Sequence, residues 1–314
     1  MLQRFRKIAG NGGQAGLSVS GSRVAYARVR EHRDGRPEIV AAAVNKAAGK
    51  NWAQQLNSQV RGIDTTRLPL VSTLPEGSYQ LLLVEVPDVP ADEVNDAIRW
   101  KVKDLLDFPV DETVIELLPM PRTSMGSGAP DTAYAVATRR SNVEDHIQLL
   151  QSAGIPLEVI NIPELCMRNI AAHLPQDSSG VAFLHLTEQQ GILTVSRQGT
   201  LYMIRRIDRG QEYLRSATDD FARTEALATF VLDIQRSLDY YESHFDRRPL
   251  AELVLGPGSD ICGLGDTLRE QLGLSISQLD LNELFEVQNA VSQEQQNECL
   301  LAIGAALRVD PVAA

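Results

Sequence analysis

The chain has 314 residues, enough for two domains of ordinary size or one larger α/β body, and 43% of them are hydrophobic, which is sufficient for a buried core. Its 30 Lys and Arg residues against 41 Asp and Glu residues give a net charge of −11, which argues against a nucleic-acid partner because phosphate backbones are bound by Lys and Arg clusters. No segment approaches the roughly 18 consecutive apolar residues of a membrane span, and the N-terminal stretch MLQRFRKIAG has no apolar core of a secretory signal.

The three cysteines, Cys166, Cys262 and Cys299, are far apart and form no C-x-x-C pattern. Each lies among apolar neighbours, so we expect buried thiols rather than a disulfide framework or a zinc site. Free thiols are typical of a reducing compartment, and the cytosol is the simplest one. A basic pair, Arg205-Arg206, is the local exception to the acidic composition.

Alternating side chains near the N-terminus predict a β-hairpin with strands over Gly16–Ser20 and Arg23–Val29. We expect a third strand over 38–44, a helix over 52–60 and a buried strand over 81–86. After the last of these strands, from Pro87 onward, the pattern of apolar residues changes.

An apolar stripe predicts a helix over 91–106, which ends at Asp107-Phe108-Pro109 because residues before proline avoid helix. Strands are predicted over 114–118 and 133–138, and a mobile loop rich in Gly, Ser and Pro over 122–131. Ser141 and Glu144 have the spacing of a capping box, and Gly154 is suited to end the same helix. A strand over 157–160 completes a compact β/α insertion.

Near Gly180 the pattern of the first half starts again, with strands predicted over 181–186, 192–196 and 200–207. A turn at Gln198-Gly199 joins the last two of these strands. The repetition is one of structural pattern and not of sequence.

The apolar residues of 227–245 fall at spacings of three and four, which predicts an amphipathic helix. A strand over 253–255 then runs into Gly256-Pro257-Gly258, and a second helix is predicted over 266–272. Glycines after a strand let a ligand approach the backbone, although a tight turn alone gives the same pattern.

Three blocks of this sequence are RSLDYYESHFDRRPLAELVLGPG, ADEVNDAIRWKVKDLLDFPVDETVIEL and YAVATRRSNVEDHIQLLQSAGIPLEVINIPEL. They resemble the PilM family, the actin-like cytoplasmic subunits of type IV pilus assembly. The final helix, ECLLAIGAALR, is similar to the closing helix of that family. The resemblance covers residues 16 to about 308 and is strongest to the branch of the mannose-sensitive haemagglutinin pilus, MshI.

The resemblance implies an α/β, actin-like fold, in which a duplicated ribonuclease H-like unit forms two lobes around a central cleft. It also implies a small β/α insertion subdomain in the first lobe. The corresponding division is an N-terminal tail over 1–15, a first lobe over 16–86 plus 161–180, an insertion over 87–160 and a second lobe over 181–314.

An actin-like nucleotidase needs a glycine-bearing hairpin from each lobe, and an aspartate on each hairpin to position Mg²⁺. Where the first family pattern is G-[ILV]-D-[IL]-G-S, this chain has GLSVSG, so Ser18 replaces the aspartate and Ser20 the glycine. The second pattern, D-[IL]-G, becomes His185-Leu186-Thr187, and a third acidic position aligns with Asn161.

These replacements predict no metal site, no catalytic residue and no ATP hydrolysis, because serine and asparagine lack charge and histidine is a poor magnesium ligand. For His185 we favour a hydrogen-bonded core residue over a catalytic base.

Four residues on the adenosine side match the family: Arg236, Asp239, Gly256 and Gly258. The resemblance therefore leaves room for weak metal-free ATP binding, or for none.

The resemblance implies a non-catalytic cytoplasmic scaffold, peripheral to the inner membrane. Such a scaffold holds the cytoplasmic tail of a bitopic PilN-like partner in a groove between the first lobe and the insertion, and it reaches the membrane only through that partner. Other pilus platform proteins and the assembly ATPase are further expected partners. The alternatives are an active actin-like ATPase or sugar kinase, and a nucleotide-dependent filament-forming protein.

Overall fold

A computed structural model describes residues 13–21, 23–31, 36–46, 68–121, 131–245, 250 and 252–309. The helix predicted over 52–60 and most of the predicted loop over 122–131 lie outside these residues, as does nearly all of the N-terminal tail. The strands are β1 (Gln14–Ser20), β2 (Arg23–Glu31), β3 (Pro37–Lys46), β4 (Leu70–Thr73), β5 (Tyr79–Glu85), β6 (Thr113–Pro119), β7 (Thr132–Arg139), β8 (Leu157–Asn161), β9 (Val181–Leu186), β10 (Gly191–Arg197), β11 (Thr200–Ile207), β12 (Glu252–Leu255), β13 (Ser275–Gln278) and β14 (Glu286–Val287). The α-helices are α1 (Val94–Val102), α2 (Arg140–Ser152), α3 (Pro163–Ala171), α4 (Gln211–Arg215), α5 (Asp220–His244), α6 (Leu264–Leu272), α7 (Leu281–Leu284) and α8 (Gln293–Ala306).

Two sheets share one strand order, apart from the two-residue strand β14 at the edge of the first. The first sheet runs β14-β3-β2-β1-β4-β8 and the second runs β11-β10-β9-β12-β13. In both, three strands form an antiparallel meander, and two later strands add in parallel beside the first strand of that meander. This duplicated 3-2-1-4-5 order is that of the actin-like, ribonuclease H-like fold, so the predicted fold class is confirmed.

The insertion has its own three-stranded sheet, in the order β5-β7-β6, and its own core. Leu82 and Val84 of β5 pack with Ile98 and Val102 of α1 in that core. The expected boundary at residue 87 is therefore wrong, because β5 pairs along its whole length with β7 and not with the first-lobe sheet. The apolar run over 81–86 indicates a buried strand but carries no information about its partner.

Helix α8 follows the second lobe in sequence but packs on the first-lobe strands β1, β2 and β3 and on α3. Gln296 of this helix also accepts a hydrogen bond from the Leu281 N–H and donates one to Asp280, so α8 contacts both lobes. A Cβ atom on Gly16 would lie 1.9 Å from the carbonyl oxygen of Ala302, and one on Gly304 would lie 2.3 Å from that of Cys166. Glycine at both positions permits the close approach of α8 to β1 and α3.

Two local predictions have different outcomes. The capping box of Ser141 and Glu144 is not formed, because β7 runs directly into α2 and Ser141 is already a helical residue. The turn between β10 and β11 is confirmed, since Gln198 and Gly199 have φ angles of 50° and 67°.

Cys166 and Cys299 are buried free thiols, as predicted, and burial raises the pKa of the Cys299 thiol to about 12. Cys262 is only partly buried, in a turn before α6, with a φ angle of 54°; for this residue the prediction of a buried thiol is wrong. Within the described residues, no helix combines the length and the apolar character needed to cross a membrane.

Candidate functional site

A cavity between the two lobes is lined by both predicted hairpins. Ser18 and Ser20 at the end of β1 face His185 and Thr187 at the end of β9. The sequence therefore located the cleft correctly. Its volume is about 210 Å³, below the range of roughly 300–1,000 Å³ that is usual for small-molecule and cofactor sites.

The second hairpin is closed by its own hydrogen bonds. The Thr187 backbone N–H donates to the Gln190 carbonyl oxygen at 2.9 Å, and the Gln190 N–H donates to Thr187 Oγ1 at 3.3 Å. Phosphate-binding loops need backbone N–H groups that point at the anion. Here the Thr187 N–H is already used within the turn.

Glu76, which follows β4, reaches across the cleft to this hairpin. Its Oε2 accepts hydrogen bonds from Gln190 Nε2 at 2.8 Å and from Thr187 Oγ1 at 3.4 Å. The contact links the base of the insertion to the second lobe. The Glu76 carboxylate also lies beside the turn that wraps a phosphate in an actin-like nucleotidase. Two negative charges, the carboxylate and a phosphate, would repel each other at this position.

His185 is a buried, neutral core residue. Its side chain is 3% exposed, and burial lowers the pKa of the imidazole to about 4. A Cβ on Gly256 would lie 3.1 Å from its Nδ1, so the ring packs directly against that glycine. Among the described residues Nδ1 has no hydrogen-bond partner, which differs from the expected hydrogen-bonded histidine.

The buried imidazole predicts an acid-sensitive fold. The unfolded chain binds the proton at a pKa near 6.5 and the native state only near 4, so stability is present above pH 6.5 and is lost as the pH falls. We expect this histidine to contribute roughly 2 kcal/mol of the stability lost between pH 7 and pH 5. Urea unfolding at several pH values should show that His185→Gln removes this contribution to the decrease in the free energy of unfolding with falling pH. Equal slopes for both proteins would contradict the prediction.

None of the four residues expected on the adenosine side lines the cavity between the lobes. Gly256 donates its N–H to the Leu184 carbonyl oxygen at 2.7 Å, and Gly258, with a φ angle of 70°, packs against Asn297 of α8. Arg236 lines a different cavity, between the second lobe and the insertion, and Asp239 is exposed. The glycines serve internal packing at positions where a ligand was expected to approach the backbone.

Charge in the cleft is also unfavourable for a triphosphate. The lining includes Glu76, Glu188 and Glu298 but only one cation, Arg23, which is paired with Glu298 at 3.2 Å. The described part of the chain contains no group of three or more His, Cys, Asp or Glu side chains that could hold a metal ion. The residues present do not fit a magnesium nucleotide.

The third expected acidic position, Asn161, is turned toward its own backbone. Its Oδ1 accepts a hydrogen bond from the Ile162 N–H at 3.0 Å, and its Nδ2 is buried without a partner among the described residues. An uncharged amide whose oxygen already accepts a backbone hydrogen bond is a weaker magnesium ligand than the carboxylate expected at this position.

A buried ion pair joins the insertion and both lobes, and sequence reasoning did not find it. Glu164 of α3 is fully buried and accepts hydrogen bonds from Tyr79 Oη of β5 at 2.6 Å and from Arg206 of β11 at 2.7 Å and 2.9 Å. The guanidinium of Arg206 also lies 4.3 Å from the ring centre of Tyr79. Burial and the Glu164 charge raise the pKa of Tyr79 well above its usual value. The only sequence signal was an acid within the apolar stretch NIPEL.

No protein-family model matches the chain, and no curated protein matches it by sequence. Among solved structures it is similar to a chain of the "PilM-PilN type IV pilus biogenesis complex", with a TM-score of 0.72 and 20% identity over 94% of this chain and 98% of that one. This similarity shows a shared fold over nearly the whole length.

Two further structures are less similar. The cytoplasmic domain of EpsL, an inner membrane component of the type II secretion system of Vibrio cholerae, gives a TM-score of 0.49 and 13% identity over 93% of each chain. The ethanolamine utilization protein EutJ from Carboxydothermus hydrogenoformans gives 0.48 and 11% identity, over 96% of this chain and 91% of that one.

Proposed function

We propose that this chain is a non-catalytic scaffold of an inner-membrane pilus assembly platform, in the MshI branch that serves the mannose-sensitive haemagglutinin pilus. It binds the short, basic cytoplasmic tail of a bitopic PilN-like protein and reaches the inner membrane from the cytoplasm only through that protein. Other platform proteins and the assembly ATPase are its further partners. The fold that it shares with a chain of the PilM-PilN complex supports this proposal.

The observation that carries the non-catalytic part is the chemistry of the two hairpins. Ser18 is uncharged, and His185 is neutral and packed against Gly256, at the positions that need magnesium-binding carboxylates. A scaffold needs no such groups, because peptide binding uses main-chain hydrogen bonds and side-chain pockets.

The insertion supports a role in protein binding. Its Trp100 and Leu105 side chains are 74% and 57% exposed, although both are large and apolar. Large aromatic residues are enriched at protein interfaces. We place the tail of the bitopic partner in the groove between the first lobe and the insertion.

Vesicle flotation tests the proposal. Vesicles that display the partner's cytoplasmic tail on a lipid anchor should carry the protein to the top of the gradient, and plain vesicles of the same lipid composition should not. Recovery should be the same with and without magnesium and ATP, and no phosphate should be released in either case.

Recovery on plain vesicles would contradict recruitment through the partner. Phosphate release that disappears in the Gly256→Asp variant would contradict the non-catalytic assignment and favour an active actin-like ATPase. A scrambled tail peptide on the same anchor is the matched control.

A further inference from the structure

A second and larger cavity, of about 720 Å³, lies between the insertion and the second lobe. Residues 79–83 of β5 and 203–206 of β11 line it consecutively, and α5 closes one side. Successive side chains of a strand point to opposite faces, so a cavity that contacts consecutive residues runs along the strand edge. Both β5 and β11 are terminal strands of their sheets. The cavity, which we call the β5 groove, therefore follows two sheet edges.

Among the described residues, no strand pairs with the edge of β5 that lies opposite β7. The Val86 N–H donates to the Asp131 carbonyl oxygen at 2.7 Å, which continues the β5–β7 ladder through the even-numbered residues. In an antiparallel pair the intervening residues direct their N–H and C=O groups away from the partner strand. Leu81 and Leu83 therefore direct their backbone groups into the β5 groove.

The facing edge of β11 is occupied at Ile204. The Ile204 N–H donates to Tyr134 Oη at 3.0 Å, and the Tyr134 hydroxyl donates to the Ile204 carbonyl oxygen at 3.2 Å. Tyr134 thus fixes the insertion against the second lobe and leaves β5 as the available template for an added strand.

The charge of the β5 groove is opposite to that of the whole chain. Three arginines and no acidic residue line it, whereas the chain has a net charge of −11. Arg206 is engaged by Glu164, but Arg205 and Arg236 are exposed and have no ion pair with any described residue. Leu83 and Tyr240, 46% and 39% exposed, add apolar surface to the same groove. Open main-chain groups, apolar surface and two unpaired cations suit an extended acidic segment.

We propose that the β5 groove binds an extended peptide segment of a protein partner, which pairs with β5 and places carboxylates on Arg205 and Arg236. Five residues of β5 span about 17 Å, which leaves room for five or six residues of the bound segment. This site differs from the groove proposed above for the partner tail. Its arginines attract an acidic segment and repel a basic tail.

Fluorescence anisotropy with the full chain tests the proposal. The probe is a fluorescein-labelled hexapeptide of alternating valine and glutamate with an amidated C-terminus. We expect this probe to bind saturably. The affinity should be at least about tenfold weaker for the corresponding valine–lysine peptide. It should be weaker by the same factor for a valine–glutamate peptide with alternate N-methyl groups, because N-methylated backbone cannot pair with a strand edge. The same peptide with a free C-terminus is then compared with the amidated probe. Tighter binding would identify a chain terminus as the carboxylate source, and equal binding would identify acidic side chains.

Charge reversal identifies the site. Arg205→Glu with Arg236→Glu should weaken binding at least about tenfold, because it removes both carboxylate partners and repels the probe. The control, Arg140→Glu with Arg223→Glu, changes two exposed arginines outside the groove and leaves the affinity unchanged. The proposal would be overturned if the probe bound both double variants equally, or if the lysine or N-methylated peptide bound as tightly as the probe. It would also be overturned if the probe did not bind up to about 1 mM protein.

Discussion

Replacing Glu164 with alanine is expected to lower the free energy of unfolding by about 3–5 kcal/mol, the range measured when one partner of a buried ion pair is removed. Glu164 is fully buried, and its two oxygens accept hydrogen bonds from Tyr79 and Arg206. Its removal leaves a guanidinium and a hydroxyl without their acceptor. Because these three side chains belong to the first lobe, the insertion and the second lobe, the loss should also loosen the contact between these three parts. Urea denaturation at pH 7 measures the change.

The matched control is Glu188→Ala. Glu188 pairs with Arg215 at 3.1 Å, but both side chains are more than half exposed. Solvent screening limits such a pair to about 1 kcal/mol or less. The double variant Glu164→Leu with Arg206→Met should recover part of the loss, because apolar groups of similar size remove the unpaired charge. A Glu164→Ala loss no larger than that of the control would show that the buried pair does not hold the three parts together.

Replacing Gly304 with alanine is expected to destabilise the protein by about 3 kcal/mol, at the upper end of the cost of overpacking. In a helix interior this change ordinarily stabilises by about 0.5–1 kcal/mol. Here the new Cβ would lie 2.3 Å from the carbonyl oxygen of Cys166 and 2.7 Å from its carbonyl carbon. Both are backbone atoms of α3, so α8 must move away from it. Thermal or urea denaturation shows whether the Gly304→Ala variant is less or more stable than the unchanged protein.

Gly265→Ala is the matched control, since Gly265 is also helical. The three atoms nearest to a Cβ there are carboxylate atoms of Asp260, at 2.7–3.0 Å, and that side chain can move. We expect a change within about 1 kcal/mol. If Gly304→Ala instead stabilised the protein, the close packing of α8 on α3 would be refuted.

Local patterns in the sequence identified many elements of this fold, although β4, α3 and β13 were not predicted. The alternation of side chains located both β-meanders, and the stripe over 227–245 located α5, because periodicities of 2 and 3.6 are properties of a single strand or helix. The duplicated actin-like fold was predicted from the resemblance to the PilM family, with which the repeated meander agrees. The two hairpins of the cleft were located by matching the patterns of that family.

The choice of partner was decided by the tertiary structure. An apolar strand is equally suited to any sheet, so the sequence could not assign β5 to the insertion. It also could not show that α8 packs on the strands of the first lobe. Gly256 had the spacing of a ligand loop, yet the side chain that packs against it is His185. The burial of Glu164 depends on Tyr79 and Arg206, which lie 85 and 42 residues away in the chain. Such contacts arise only when distant segments pack together, whereas the elements themselves follow from neighbouring residues.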